Sequence, residues 1–205
     1  MPGDECSERL LFGGAISSAF PMRFQDLSSI REVPDHQEVF ADSSRDESLF
    51  FELLDLKNDV SDSESAIWFL QDLANEQDAK GSLVIEQSGS LQPADLMFKD
   101  LPAVITTVVG RMAVSKGRQG REAQNVVRVY LANLRLKAVG TDVLIIAYEP
   151  ILINALSETS LTVGAGLAVP AAQSELLPVS EVFKFAIVSF KVNDWNLFGV
   201  VDHTP

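Results

Sequence analysis

The 205-residue chain contains one cysteine, two histidines, two tryptophans and two tyrosines, and its 16 basic residues are outnumbered by 29 acidic ones. With Cys6 alone, no internal disulfide is possible and a cysteine-built zinc site lacks ligands, which fits an intracellular protein. His36 and His203 are too isolated to suggest a metal centre or a catalytic triad, so neither metal, cofactor nor catalytic residue is expected. The phosphate-cradling G-x-x-x-x-G-K-[ST] string is missing. Gly164-Ala165-Gly166 lacks the third glycine of a dinucleotide fingerprint and reads as loop. The longest apolar runs, such as residues 143–148, fall well short of the ~20 residues of a spanning helix, so no stable membrane insertion is expected. Asp4, Glu5 and Glu8 stand where a secretory leader would be basic. The shortage of clustered Lys and Arg disfavours nucleic acid.

What the chain has is acid, unevenly placed. Residues 1–80 hold 18 of the acids and 6 of the bases, whereas seven bases face Glu122 alone between Arg111 and Lys137. Such a bipolar molecule is suited to attract a basic partner to one end. As chemistry the acids are less persuasive. Glu52 and Asp55 are the most visible carboxylate pair, but a glycosidase would need an aromatic-lined cleft that two Trp and two Tyr hardly supply. A soluble binding domain is the better reading than a hydrolase.

The hydropathy pattern predicts an α+β fold, an antiparallel β-sheet flanked by helices. Residues 1–9 read as a flexible N-terminus, followed by a single domain over 10–205. Residues 10–20 read as extended chain broken by a turn at Gly13 and Gly14, whose lack of Cβ permits positive φ. Pro34-Asp35 marks another turn, and residues 37–42 a strand. Residues 49–56 are ambiguous between strand and helix, with a strand favoured. Ser61 and Glu64 have capping-box spacing ahead of an apolar stripe, which predicts a helix over 62–78 stopped by Gly81. A weaker strand at 82–88 leads into the loop through Pro93. Three β-rich runs at 103–115, 125–137 and 142–152, joined by short turns, predict an antiparallel meander. Residues 156–178, rich in Ser, Gly, Ala and Pro, read as a long mobile loop. A final helix is expected over 180–193.

The strings LFGGAISSAFP at 11–21 and IREVPDHQEVFAD at 30–42, with FFELLDL at 50–56, resemble the Ran guanine nucleotide release factor family, also called Mog-one. Softer similarity extends to the helix at 62–78, the strand pair at 135–150 and the C-terminal helix. The resemblance implies the α/β/α sandwich shared with the PsbP-type photosystem proteins. It implies a non-enzymatic regulator that binds the small GTPase Ran, promotes release of its guanine nucleotide and supports nuclear import, in nucleus and cytoplasm. A second Ran-binding protein as a further partner is left open. The implied partner-binding acids are Glu52 and Asp55, with Asp26, Asp35 and Glu38 nearby. Glu52 and Asp55 stand in the reverse of the family's order of Asp and Glu. Gly13 and Gly14 are expected to serve the backbone, Pro34 to form a turn, and Arg31 to be a buried organiser of the carboxylates. The competing readings are a PsbP-like module of a membrane complex and an adaptor for membrane-protein trafficking.

Overall fold

The computed structural model describes residues 4–91, 103–116 and 119–199; Pro93, His203 and part of the basic turn lie outside them. Strands β1 (Cys6–Leu11) and β2 (Ile16–Pro21) form a hairpin around the 3-10 turn Phe12–Gly14, where Gly13 and Gly14 adopt φ of 67° and 90°. Those angles are easy for glycine and costly for residues with a Cβ. The two-residue strand β3 (Gln25–Asp26) then leads to β4 (Gln37–Asp42) and β5 (Glu47–Asp55). Helix α1 (Ser65–Glu76) follows, then β6 (Val84–Leu91), β7 (Ala103–Val114), β8 (Asn125–Leu136) and β9 (Thr141–Ile153). The last elements are α2 (Ser160–Val163), β10 (Gly166–Leu167), α3 (Val179–Val188) and β11 (Lys191–Val192).

Among the described residues, the main sheet runs in the order β3-β4-β5-β9-β8-β7-β6, with β10 added against β9. All of its pairings are antiparallel. The expected meander is β7-β8-β9. Its central strand β8 is covered on both sides, as alternation of its side chains requires: Ala132, Leu134 and Leu136 enter one core, Val129 and Leu131 the other. The first core lies under α3 and the small sheet β1-β2-β11, where Phe20 meets Phe40 and Phe51 at 4.8 and 5.8 Å between ring centroids. The second lies under α1, which buries Ala66, Phe69, Leu70 and Ala74. Gly110 of β7 lets α1 approach closely, since a Cβ there would stand 2.9 Å from Leu70 Cδ2. The result is α+β, a mostly antiparallel sheet with helices on both faces.

The structure departs from the sequence expectations in several places. Within the segment read as flexible, residues 6–9 belong to β1, and Asp4 is buried, accepting hydrogen bonds from Arg23 Nε and the Leu177 N–H at 3.1 and 2.9 Å. Residues 156–178 contain α2, β10 and a 3-10 turn at Ala171–Ser174 rather than one structureless loop. The capping box does not close: the Ser61 hydroxyl donates to the Glu64 carboxylate at 3.0 Å, a 3-10 turn occupies Asp62–Glu64, and α1 starts at Ser65. That helix is stopped by Asp78 rather than Gly81; Asp78 takes φ of 52°, and the Ala79 N–H returns to the Ala74 carbonyl at 2.7 Å, the pattern of a left-handed C-terminal cap. The last helix ends at Val188.

Candidate functional site

Residues 49–56 resolve as strand, and that decides how their acids are arranged. Successive side chains on a strand point to opposite faces, so Phe50, Glu52 and Leu54 face α1, whereas Phe51, Leu53 and Asp55 face the other core. Glu52 and Asp55 therefore do not form a side-by-side pair. They straddle the end of β5, about 10 Å apart along the strand.

On the α1 face, the Glu52 carboxylate accepts a hydrogen bond from Gln37 Nε2 at 2.9 Å, and His36 Nε2 lies 3.4 Å away. Gln37 is directly opposite Glu52 in the β4–β5 register. Helix α1 brings two more acids to this side. The Glu76 carboxyl is pushed up by burial and then by the charges of Asp72 and Glu52. The Tyr148 hydroxyl, which accepts from Gln77 Nε2 at 2.9 Å, is likewise pushed up, first by burial, with Glu52 and Glu76 adding to it against the Gln77 bond. Glu52, Asp72 and Glu76 thus crowd like charges around one corner of the sheet. Sequence reasoning missed Asp72 and Glu76. Their signal is the i,i+4 spacing of two acids on a helix, a mutually repelling arrangement that a helix alone does not favour.

On the opposite face, Glu38 accepts the Phe12 N–H at 2.6 Å and so ties the Gly13 turn to β4. Glu38, Asp35, Pro34 and Gly13 line one cavity of about 400 Å³. Pro34 forms a turn, its carbonyl accepting from the Gln37 N–H at 2.9 Å. Asp26 lies at the β3 edge, exposed, with its carboxylate accepting from the Ser28 N–H at 2.8 Å. Of the acids expected together, Asp35 and Glu38 share the cavity, Glu52 joins the α1 side, and Asp26 and Asp55 are separate exposed positions.

Arg31 is exposed and organises nothing buried. Two other arginines do. Arg23 reaches Asp4 at 3.1 Å, Asp42 at 2.9 Å and Glu47 at 2.5 Å, and its Nη2 donates to the Leu177 carbonyl. Arg135, 2% exposed, donates to both oxygens of the fully buried Asp142 at 3.0 and 3.4 Å, to the Val60 carbonyl at 2.7 Å and to the Lys57 carbonyl. Asp142 also accepts the Lys57 N–H at 2.8 Å. This cluster fastens the loop leaving β5 to the sheet and so sets α1, with Glu76, against Glu52.

The fold and this acid-bearing corner define an α+β sandwich whose most distinctive polar feature is an exposed strand end rather than an enclosed cleft. Residues 9–150 match the family model described as Ran-interacting Mog1 protein. The chain belongs to that family. A relative in Danio rerio, named Ran guanine nucleotide release factor, is 30% identical over 194 residues, covering 93% of this chain and 99% of its own. One in Schizosaccharomyces pombe, named nuclear import protein mog1, is 30% identical over 144 residues, 69% of this chain and 75% of its own. The crystal structure of the Saccharomyces cerevisiae Ran-binding protein Mog1p shares the fold, with a TM-score of 0.64 at 22% identity, over 96% of this chain and 100% of that one.

Proposed function

We propose that this chain binds the GTPase Ran through the acidic end of β4 and β5, promotes release of its guanine nucleotide and so supports nuclear protein import, acting in nucleus and cytoplasm without catalysis of its own. The observation that carries the reading is the gathering of Glu52, Asp72 and Glu76 at one corner, where the Glu76 carboxyl is raised first by burial and then by the charges of Asp72 and Glu52. Like charges held together by a fold are strained in isolation and relieved by a basic partner. Family membership and the relatives' names support Ran as that partner.

Release follows from linkage. A protein expels a nucleotide only by binding the empty or distorted GTPase better than the loaded one, and the antagonism is mutual. A GTPase pocket holds phosphate with Lys, backbone N–H groups and Mg²⁺. A carboxylate that pairs with one of those cations weakens the grip on phosphate. Glu52 is the residue assigned this task, since Gln37 holds its side chain in place.

The division of the acids between faces gives unequal variants. Glu52→Lys is expected to weaken the Ran complex about thirtyfold or more, as for loss of a desolvated charge pair worth ~2 kcal/mol or above. Asp55→Lys, at an exposed position, is expected to cost less than about tenfold. Isothermal titration against nucleotide-free Ran measures both. Unchanged affinity in a folded variant carrying both substitutions would remove this surface from the interface.

A further inference from the structure

Strand β6 closes one side of the main sheet, and among the described residues it pairs with β7 alone. The edge it presents is long. β6 has eight residues, of which 84–90 are exposed, whereas the opposite edge is the two-residue β3. A free edge offers a row of unpaired N–H and C=O groups, and folds blunt such rows with proline, lysine, short strands or bulges. β6 contains neither proline nor lysine. Its one charge, Glu86, is taken by Arg111 at 2.5 Å and Arg128 at 2.9 Å, and its one bulge lies between Ile85 and Gln87, which leaves residues 87–91 in regular pairing with β7.

Helix α1 runs beside this edge. It packs mainly on β7 and β8, so a groove remains between the helix and β6, with cavities of about 580 and 240 Å³ along it. The larger lies beside Ile85 and takes Trp68, Gln71 and Asn75 from the later turns of α1; the smaller lies beside Ser88, Gly89 and Ser90 and takes Ile67 from its first turn. Ile67, Gln71 and Asn75 recur every four residues and so form one stripe of the helix. Ile85, Ser88 and Ser90 stand opposite Gly110, Val108 and Thr106, which turns them to the same face as α1. The 12 residues of α1 rise about 18 Å, the reach of roughly five or six extended residues.

The rim has a sign. Residues 63–76 carry Glu64, Asp72 and Glu76 and no base, and Lys80 is the one base lining either cavity. We propose that this edge and groove bind an extended, basic segment of a partner protein by strand addition. Its backbone continues the main sheet on β6, its alternate side chains enter the groove beside α1, and basic residues at its two ends meet Glu64 and Asp72. A second copy of this chain is the poorer occupant, because each copy carries a net charge of −13 and the two repel, whereas a basic segment is attracted.

The probe is the rhodamine-labelled peptide Lys-Val-Thr-Val-Thr-Val-Lys-amide, titrated with the full chain at physiological ionic strength. Its anisotropy should saturate with a dissociation constant on the order of 0.1 mM, and amides of residues 87–91 that exchange freely in the chain alone should become protected. N-methylation of the valine amides and of the threonine amides blocks opposite edges of the peptide without changing its charge. One pattern should weaken binding at least tenfold and the other less than threefold. Gln71→Lys combined with Asn75→Lys, both exposed on α1, should weaken the peptide at least fivefold with helix content unchanged. Equal weakening by the two methylation patterns, weakening by neither, or unchanged affinity in the lysine variant overturns strand addition. So does a dimer in sedimentation velocity that excess peptide leaves intact, which assigns the edge to a second copy. The titration contains no GTPase, so its result is separate from the binding of Ran.

Discussion

Replacing Asp142 with Ala is expected to lower unfolding stability by about 3–5 kcal/mol, the range for a buried ion pair broken on one side. The carboxylate is fully buried and takes Arg135 on two oxygens, Asn133 Nδ2 at 3.0 Å and the Lys57 N–H. Its removal leaves a guanidinium with 2% exposure facing no compensating charge except Asp62, 3.1 Å away at the surface end of the side chain. Urea denaturation measures the loss. A drop below ~1 kcal/mol would mean that water or Asp62 takes over the role. Because the same cluster ties the β5–α1 loop to the sheet, the variant should also lose affinity for Ran at temperatures where it is still folded.

Arg23→Met is the second large effect, again about 3–5 kcal/mol at neutral pH. The substitution preserves much of the apolar stem and removes the charge shared by Asp4, Asp42 and Glu47, all three buried. It also frees the Leu177 carbonyl and loosens the N-terminal strand from β4 and β5. The loss has a pH signature. Burial alone would raise the Asp42 carboxyl, but hydrogen bonds from Ser44 and Arg23 outweigh it and hold the group below its usual value. A carboxyl held low in the folded state binds fewer protons there than in the unfolded chain. Its contribution is fully present above the ordinary Asp value of ~4 and disappears as pH falls through the folded value. The parent should therefore lose stability on acidification below about pH 4, and Arg23→Met should show a shallower dependence across that window. A steeper one in the variant would contradict the assignment.

Much of the fold is legible in local pattern. The three runs after residue 103 carry enough alternation and length to specify β7, β8 and β9, and the paired glycines specify the first turn. What local pattern cannot show is which charges find partners across the chain. Arg23 and Asp42 are 19 residues apart, and Arg135 reaches back 75 residues to Val60. Arg31, in the recognisable string, is the plausible organiser by proximity; Arg23 and Arg135 are the actual ones by burial. The same limit applies to the N-terminus, whose polar residues look unanchored until Asp4 meets Arg23.

The acidic site was legible in part. Spacing of three puts Glu52 and Asp55 on one face of a helix but on opposite faces of a strand, so the ambiguity of residues 49–56 was also an ambiguity about the site. Nor is every acid in the first 80 residues available to a partner. Asp4, Asp42 and Glu47 serve Arg23, and Asp62 binds Arg135 and Lys137. Asp72 and Glu76 enter the site only because Leu70 and its neighbours seat α1 on β7 and β8, which leaves Glu76 within electrostatic reach of Glu52.

The most direct measurement of the central claim is nucleotide release. Ran loaded with a fluorescent guanine nucleotide is mixed with the chain, and the fluorescence decay is followed in parallel with Glu52→Lys. The account predicts release faster than the intrinsic rate, saturating with the chain's concentration, and lost in the variant. An intrinsic rate at saturating parent protein, or equal acceleration by Glu52→Lys, would contradict it.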